Sequence, residues 1–132
     1  FNCDLSKWDV SSVVDMSDMF WRAPKFNSDI SKWDVSSVVD MSAMFWRAAA
    51  FNGDISNWDV SRVKHMHRMF SDATLFSNDI SNWDVSNVIT MDYMFCNAAS
   101  FKIKLCRAPW VNSNASKVEI FVGSSGSISQ TV

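Results

Sequence analysis

Glycine, proline and tyrosine are scarce in this chain, at 3, 2 and 1 of 132 residues, and there are only 3 Cys and 2 His. No apolar run is long enough to cross a bilayer, and no secretory signal is present. No transmembrane segment is therefore expected in this chain, although association with a membrane-protein assembly remains open. A positive excess is also missing: 12 Lys and Arg face 14 Asp and Glu, for a net charge of -2. That balance excludes a dedicated nucleic-acid binder, which needs a clear basic surplus. Charged residues make up only 20% and hydrophobic ones 48%, so disorder is excluded and one modest domain with a buried core is expected.

What the chain has instead is 10 Phe, 8 Met and 7 Trp, and they recur at fixed places. Trp8, Trp33, Trp58 and Trp83 are spaced by 25 residues, as are Met16, Met41, Met66 and Met91. Phe20, Phe45, Phe70 and Phe95 keep the same step, and Phe1, Phe26, Phe51, Phe76 and Phe101 form another column. A unit of this size cannot bury its own apolar face, so neighbouring units are expected to cover one another.

Within a unit, Ile30, Trp33, Val35 and Val38 follow the strand spacing of a leucine-rich repeat, which places a short strand near 32–35. Val38, Met41, Met44, Phe45 and Ala48 then recur at three- and four-residue steps, the period of a short helix with one buried stripe. The expected fold is α/β: a leucine-rich-repeat-like right-handed solenoid with one short parallel strand and one short helix per 25-residue coil. Residues 1–105 would hold four full repeats and the start of a fifth, and 106–132 a C-terminal cap with an extended Ser/Gly-rich tail.

The segment Phe51-Asn-Gly-Asp-Ile-Ser-Asn-Trp-Asp-Val-Ser, followed by Val63, Met66, Met69 and Phe70, resembles the repeat of the BspA-like leucine-rich-repeat surface proteins of bacteria and unicellular eukaryotes. The resemblance covers residues 1 to about 101. It implies a β/α solenoid, a cell-surface or secreted location, adhesion or matrix binding in some members, and no enzymatic activity. It supplies no catalytic residues.

The repeated columns are expected to be framework: Trp8, Trp33, Trp58, Trp83, the four Met and the four Phe named above form the structural core. Asp9, Asp34, Asp59 and Asp84 form an acidic column, and Asp4, Asp29, Asp54 and Asp79 another. Turn hydrogen bonds from Ser6, Ser11 and their equivalents are the expected compensation, with calcium a weaker reading. His65 and His67 are two apart and would not share a helix face, which argues against zinc; neither they nor the many serines make an identifiable triad. Catalytic, cofactor and metal sites are therefore expected to be absent.

The positions that break the repeat are the candidates for recognition. Trp21 and Trp46 give way to Ser71 and Cys96, and Arg22 and Arg47 to Asp72 and Asn97. Since Phe20 and Phe45 take the buried stripe, Trp21, Arg22, Trp46 and Arg47 are expected to form a rim patch that contacts a protein partner, in keeping with the weight of Trp and Arg in interfaces. Arg62, Lys64, His65, His67 and Arg68 form a local basic cluster on the expected third helix, where Asp40 would face His65 and Arg47 would face Asp72. Cys96 and Cys106, both in the last coil, are expected to pair in an oxidising compartment, leaving Cys3 over. The chain starts at Phe1-Asn2-Cys3-Asp4, at the phase of a full repeat and without an initiating Met, and is expected to be cut from, or continued beyond, a longer precursor. The function read from these features is a noncatalytic protein-recognition or adhesion module at the cell surface or secreted. The alternative is a structural accessory subunit of a larger, organelle-associated assembly.

Overall fold

In the computed structural model, residues 3–129 are described. The Phe1 member of the aromatic column lies outside them. The regular elements are few: β1 (Lys104–Leu105), α1 (Ala108–Val111) and β2 (Ser127–Ile128). β1 and β2 pair in parallel, Lys104 opposite Ser127 and Leu105 opposite Ile128. The expected α/β leucine-rich-repeat-like solenoid is thus corrected. Among the described residues up to 100, no 25-residue unit contains a strand or a helix; the three short elements all lie after Phe101, and most of the chain runs through successive turns.

Two backbone features explain why the helical period in the sequence does not become a helix. Asp18, Arg22, Ala43, Arg47, Arg68, Asp72, Tyr93 and Asn97 all lie at φ between 56° and 63°, twice in each unit. A right-handed helix cannot pass through such residues, because the left-handed region reverses the sense of the chain. The hydrogen bonds show what replaces it. Met44, Trp46 and Ala48 donate to the carbonyls of Met41, Ala43 and Phe45, three residues back, closing turns rather than helical rings. The alternate residues Met41, Ala43, Phe45 and Arg47 donate sideways, to His65, His67, Met69 and Ser71 of the next unit, at 2.8–2.9 Å. Half of the donors therefore build the turn and half tie one unit to its neighbour. The Met that looked like a helical stripe is buried by neighbouring units.

The strand expected near 32–35 is likewise replaced. Trp33 donates to Ile30 and Val38 to Val35, while Ser36 donates from both N–H and Oγ to Asp34 Oδ1 at 3.0 and 2.6 Å. An Asp that takes the backbone into a local turn competes with a ladder. Parallel pairing occurs elsewhere, as single bridges joining Asp15, Asp40, His65, Thr90 and Ser116 in one row.

Burial follows from this register. Phe20, Phe45, Phe70, Phe95 and Phe121 stack with ring centroids 5.4–5.7 Å apart. Phe26, Phe51, Phe76 and Phe101 form a second stack at 5.8–6.0 Å. Offset stacking of this kind adds to the burial of each ring. Met16, Met41, Met66 and Met91 are buried beside them, as are Trp33, Trp58 and Trp83. Trp8 differs: it is 54% exposed, so its assignment to the core is corrected. The indoles of Trp33, Trp58 and Trp83 donate to the carbonyls of Leu5, Ile30 and Ile55 in the preceding unit, and no earlier unit covers Trp8 among the described residues.

The register continues past 105 with different residues. Trp110 on α1 is fully buried and donates from its indole to the Ile80 carbonyl at 3.2 Å, taking the place of a column tryptophan 27 rather than 25 positions after Trp83. Gly126 then passes so close over Phe101 and Phe121 that a Cβ there would lie 2.6 and 3.0 Å from their rings.

Candidate functional site

The turn that carries residues 18–23 is tied twice. Trp21 N–H donates to Asp18 within the turn, and Arg22 N–H donates to Trp46 of the next unit at 2.9 Å. The same pair recurs at Trp46, which donates to Ala43, and at Arg47, which donates to Ser71. With Phe20 and Phe45 turned inward, the following indoles are set on the outside of the turn by a backbone that has little freedom left. Trp21 and Trp46 stack at 5.6 Å with an interplanar angle of 20°. Trp21 is nevertheless 42% exposed.

Guanidinium groups cover these rings in alternation. Arg22 lies 5.0 Å from the Trp21 centroid and Arg47 5.6 Å from that of Trp46. Arg68 lies between two rings, 4.8 Å from Trp46 and 4.7 Å from Tyr93. Each such contact at an exposed site contributes about 0.5–1 kcal/mol, enough to hold the side chains in place without burying their N–H edges. Asp72 anchors the far side of the patch: it accepts from the Trp46 indole at 3.3 Å and from Asn97 Nδ2 at 3.1 Å, and pairs with Arg47 Nε at 3.8 Å. That pair is half-exposed and contributes little to stability, but it fixes Arg47.

The structure thus brings Trp21, Arg22, Trp46 and Arg47 onto one face and adds Arg68 and Tyr93, which the sequence reading missed. The sequence groups Arg68 with Arg62, Lys64, His65 and His67 in a basic cluster on an expected third helix. No helix forms there, and the turn at Arg68, with φ 56°, sends it back toward Trp46 instead. The column shared by Asp18, Ala43, Arg68 and Tyr93 was the available signal.

The two acidic columns are occupied locally. Asp4, Asp9, Asp29, Asp34, Asp54, Asp59 and Asp84 each accept from the N–H and Oγ of the serine two residues on. In Asp9, Asp34 and Asp59 the serine hydroxyl, followed by its N–H, holds the carboxyl below the ordinary carboxylate range. No cluster of three metal-ligating side chains occurs among the described residues. Ser42 Oγ and His67 Nδ1 are 2.9 Å apart, but Ser42 is 4% exposed, and Asp92 is engaged by Ser116 Oγ and Val118 N–H rather than by the imidazole. That row does not have the geometry of a catalytic triad. An open cleft of about 680 Å³ lies between the Asp84 to Ile89 turn and α1, edged by Asn87, Pro109 and Asn112.

Cys3, Cys96 and Cys106 are free thiols, which corrects the expected Cys96–Cys106 disulfide. Cys106 stands in the column of the turn serines Ser6, Ser31, Ser56 and Ser81, whereas Cys96 stands in that of Trp21 and Trp46. The two columns occupy different turns of the same unit. Burial, then Asp72 and Glu119, push the Cys96 thiol upward in pKa.

No helix among the described residues is long and apolar enough to cross a membrane. A family model described as a Mycoplasma protein of unknown function, DUF285, matches residues 1–130. No curated protein and no solved structure matches the chain. The resemblance to BspA-like leucine-rich-repeat proteins is corrected accordingly: the matching family is a different one, and the units lack the strand and helix that the resemblance implied.

Proposed function

The chain belongs to the DUF285 family, and we propose that it is a noncatalytic protein-recognition module whose contact face is formed by Trp21, Arg22, Trp46 and Arg47, extended by Arg68 and Tyr93. One observation carries this reading: Trp21 is 42% exposed while its backbone and ring are both held by the next unit. Most of the chain's large aromatics are buried in the shared core, so an indole held outward in a fixed pose is an exception to the repeat. Rigid Trp and Arg side chains lose little conformational entropy on contact, which is why such residues dominate binding energy in interfaces.

The test is site-specific photo-crosslinking in cells of the native source, with the reactive group at residue 22 and a control at Asn57, which is exposed on the Asp54 turn. A discrete protein adduct from position 22 that is missing from position 57, and that Trp21→Ser abolishes, is the expected result. Equal adducts from both positions, or none from position 22, would reject the reading.

A further inference from the structure

The charge distribution around the Trp21 face names the chemistry of its partner. The chain as a whole carries -2, yet the turns spanning 18–25, 43–50 and 68–75 hold Arg22, Lys25, Arg47 and Arg68 against only Asp18 and Asp72. The acidic columns are spent elsewhere, on the serine turns. Within the patch, Asp72 is committed to Arg47, Trp46 and Asn97, and Arg22 has no carboxylate at ion-pair distance among the described residues.

Arg22 is therefore a cation placed but not neutralised. Its guanidinium lies over the Trp21 ring, a geometry that leaves the N–H edge available for the two-pronged contact that carboxylates make. Arg22 and Arg47 occupy the same column in neighbouring units, so their like charges repel across one inter-unit spacing, with Asp72 offsetting only the Arg47 side. An incoming anion at Arg22 relieves that repulsion as well as pairing with the fork. The adjoining exposed indole offers an apolar surface to the same ligand.

We infer that this face binds an acidic peptide segment, with a carboxylate seated on the Arg22 guanidinium and a neighbouring apolar or aromatic side chain laid against Trp21. The inference rests on the recognition function proposed above and narrows it to one class of partner. It is a contact governed by charge, so its affinity falls as salt rises.

The experiment measures fluorescence anisotropy of a fluorescein-labelled peptide of alternating Glu and Gly with a central Trp, against the same peptide with Lys in place of Glu. The acidic peptide should bind and the basic one should not. Arg22→Gln should weaken binding about tenfold, the loss expected for a charge-assisted pair. Arg22→Lys should fall in between, since it keeps the charge and loses the fork. Trp21→Ser should weaken binding and, because it also removes the stack on Trp46 and the ring under Arg22, should lower the melting temperature by about a few degrees, so its binding is compared at a temperature where circular dichroism shows it folded. Equal binding of the two peptides, or indifference to Arg22→Gln, overturns the inference. So does an Arg22-dependent rise in mass on sedimentation of the chain alone, which would make a second copy the occupant. Adducts from residue 22 in cells combined with no acidic-peptide binding would sink the peptide assignment and leave the recognition function standing. The absence of both would remove the two together.

Discussion

Asp18 separates a turn-built unit from a helical one by the order of stability of two substitutions. It is exposed, sits at φ 60°, and its N–H donates to Ser42 at 3.0 Å, so replacing the side chain disturbs the backbone preference and little else. At a left-handed position an L-residue is disfavoured by about 1–2 kcal/mol relative to glycine. Glycine gives back about 0.5–1 kcal/mol through the larger entropy of its unfolded chain. The net expectation is that Asp18→Gly is more stable than Asp18→Ala by about 1 kcal/mol, with Asp between them because its short polar side chain tolerates this region. In a helix the order reverses, with Ala better than Gly by about 1 kcal/mol. For a chain of this length about 1 kcal/mol corresponds to roughly 4 °C in melting temperature. Thermal denaturation followed by circular dichroism, with urea titration as a second measure, would resolve the two. An Ala variant more stable than the Gly variant would refute the alternating-turn architecture.

Phe70 is fully buried between Phe45 and Phe95 in its stack and lies 4.0 Å from Phe76, so Phe70→Ala should cost about 4–5 kcal/mol in urea unfolding. A loss under about 2 kcal/mol would mean that the stack closes over the gap. Trp110→Phe should cost about 1–3 kcal/mol by leaving the Ile80 carbonyl without its indole donor, measured the same way. Acid should destabilise the fold in a defined window. The carboxyls of Asp9, Asp34 and Asp59 have folded pKa values below their unfolded ones, so the unfolded chain binds more protons as pH drops through that interval. Their contribution is fully present above the unfolded carboxylate range, near pH 4, and is lost as pH falls through the lower folded values. Urea midpoints at pH 7, 4.5 and 3 should show it, and Ser36→Ala with Ser61→Ala should flatten the fall below pH 4. Intact mass should be the same before and after reduction, with all three thiols alkylatable once the chain is unfolded; a shift of two hydrogens on reduction would contradict free Cys96 and Cys106.

The Trp, Met and Phe columns were legible because burial in a repeated structure imposes a composition, and periodic composition survives in the sequence. The local geometry was not. A run such as Val38, Met41, Met44, Phe45 and Ala48 has the spacing of a helical stripe, and the same spacing arises when alternate turns face a neighbour. Nothing in the side chains of Ala43 or Arg47 marks them as left-handed, since both are ordinary helix formers. The Trp and Arg patch was partly legible as a departure from the repeat, because Trp21, Arg22, Trp46 and Arg47 interrupt it. Arg68 and Tyr93 share one repeat column, but it holds Asp18 and Ala43 in the first two units, and only the direction of the turn shows that a long side chain there reaches the neighbouring rings.

The sequence alone determined which residues recur, which charges have a serine two positions on, and that one unit needs another to cover its apolar side. The conformation of each unit, the exposure of Trp8 and the meeting of Arg68 with Trp46 were decided only in three dimensions. The reason is physical: a left-handed residue is disfavoured by itself and persists because the sideways hydrogen bonds from its N–H exist only once the next unit is in place.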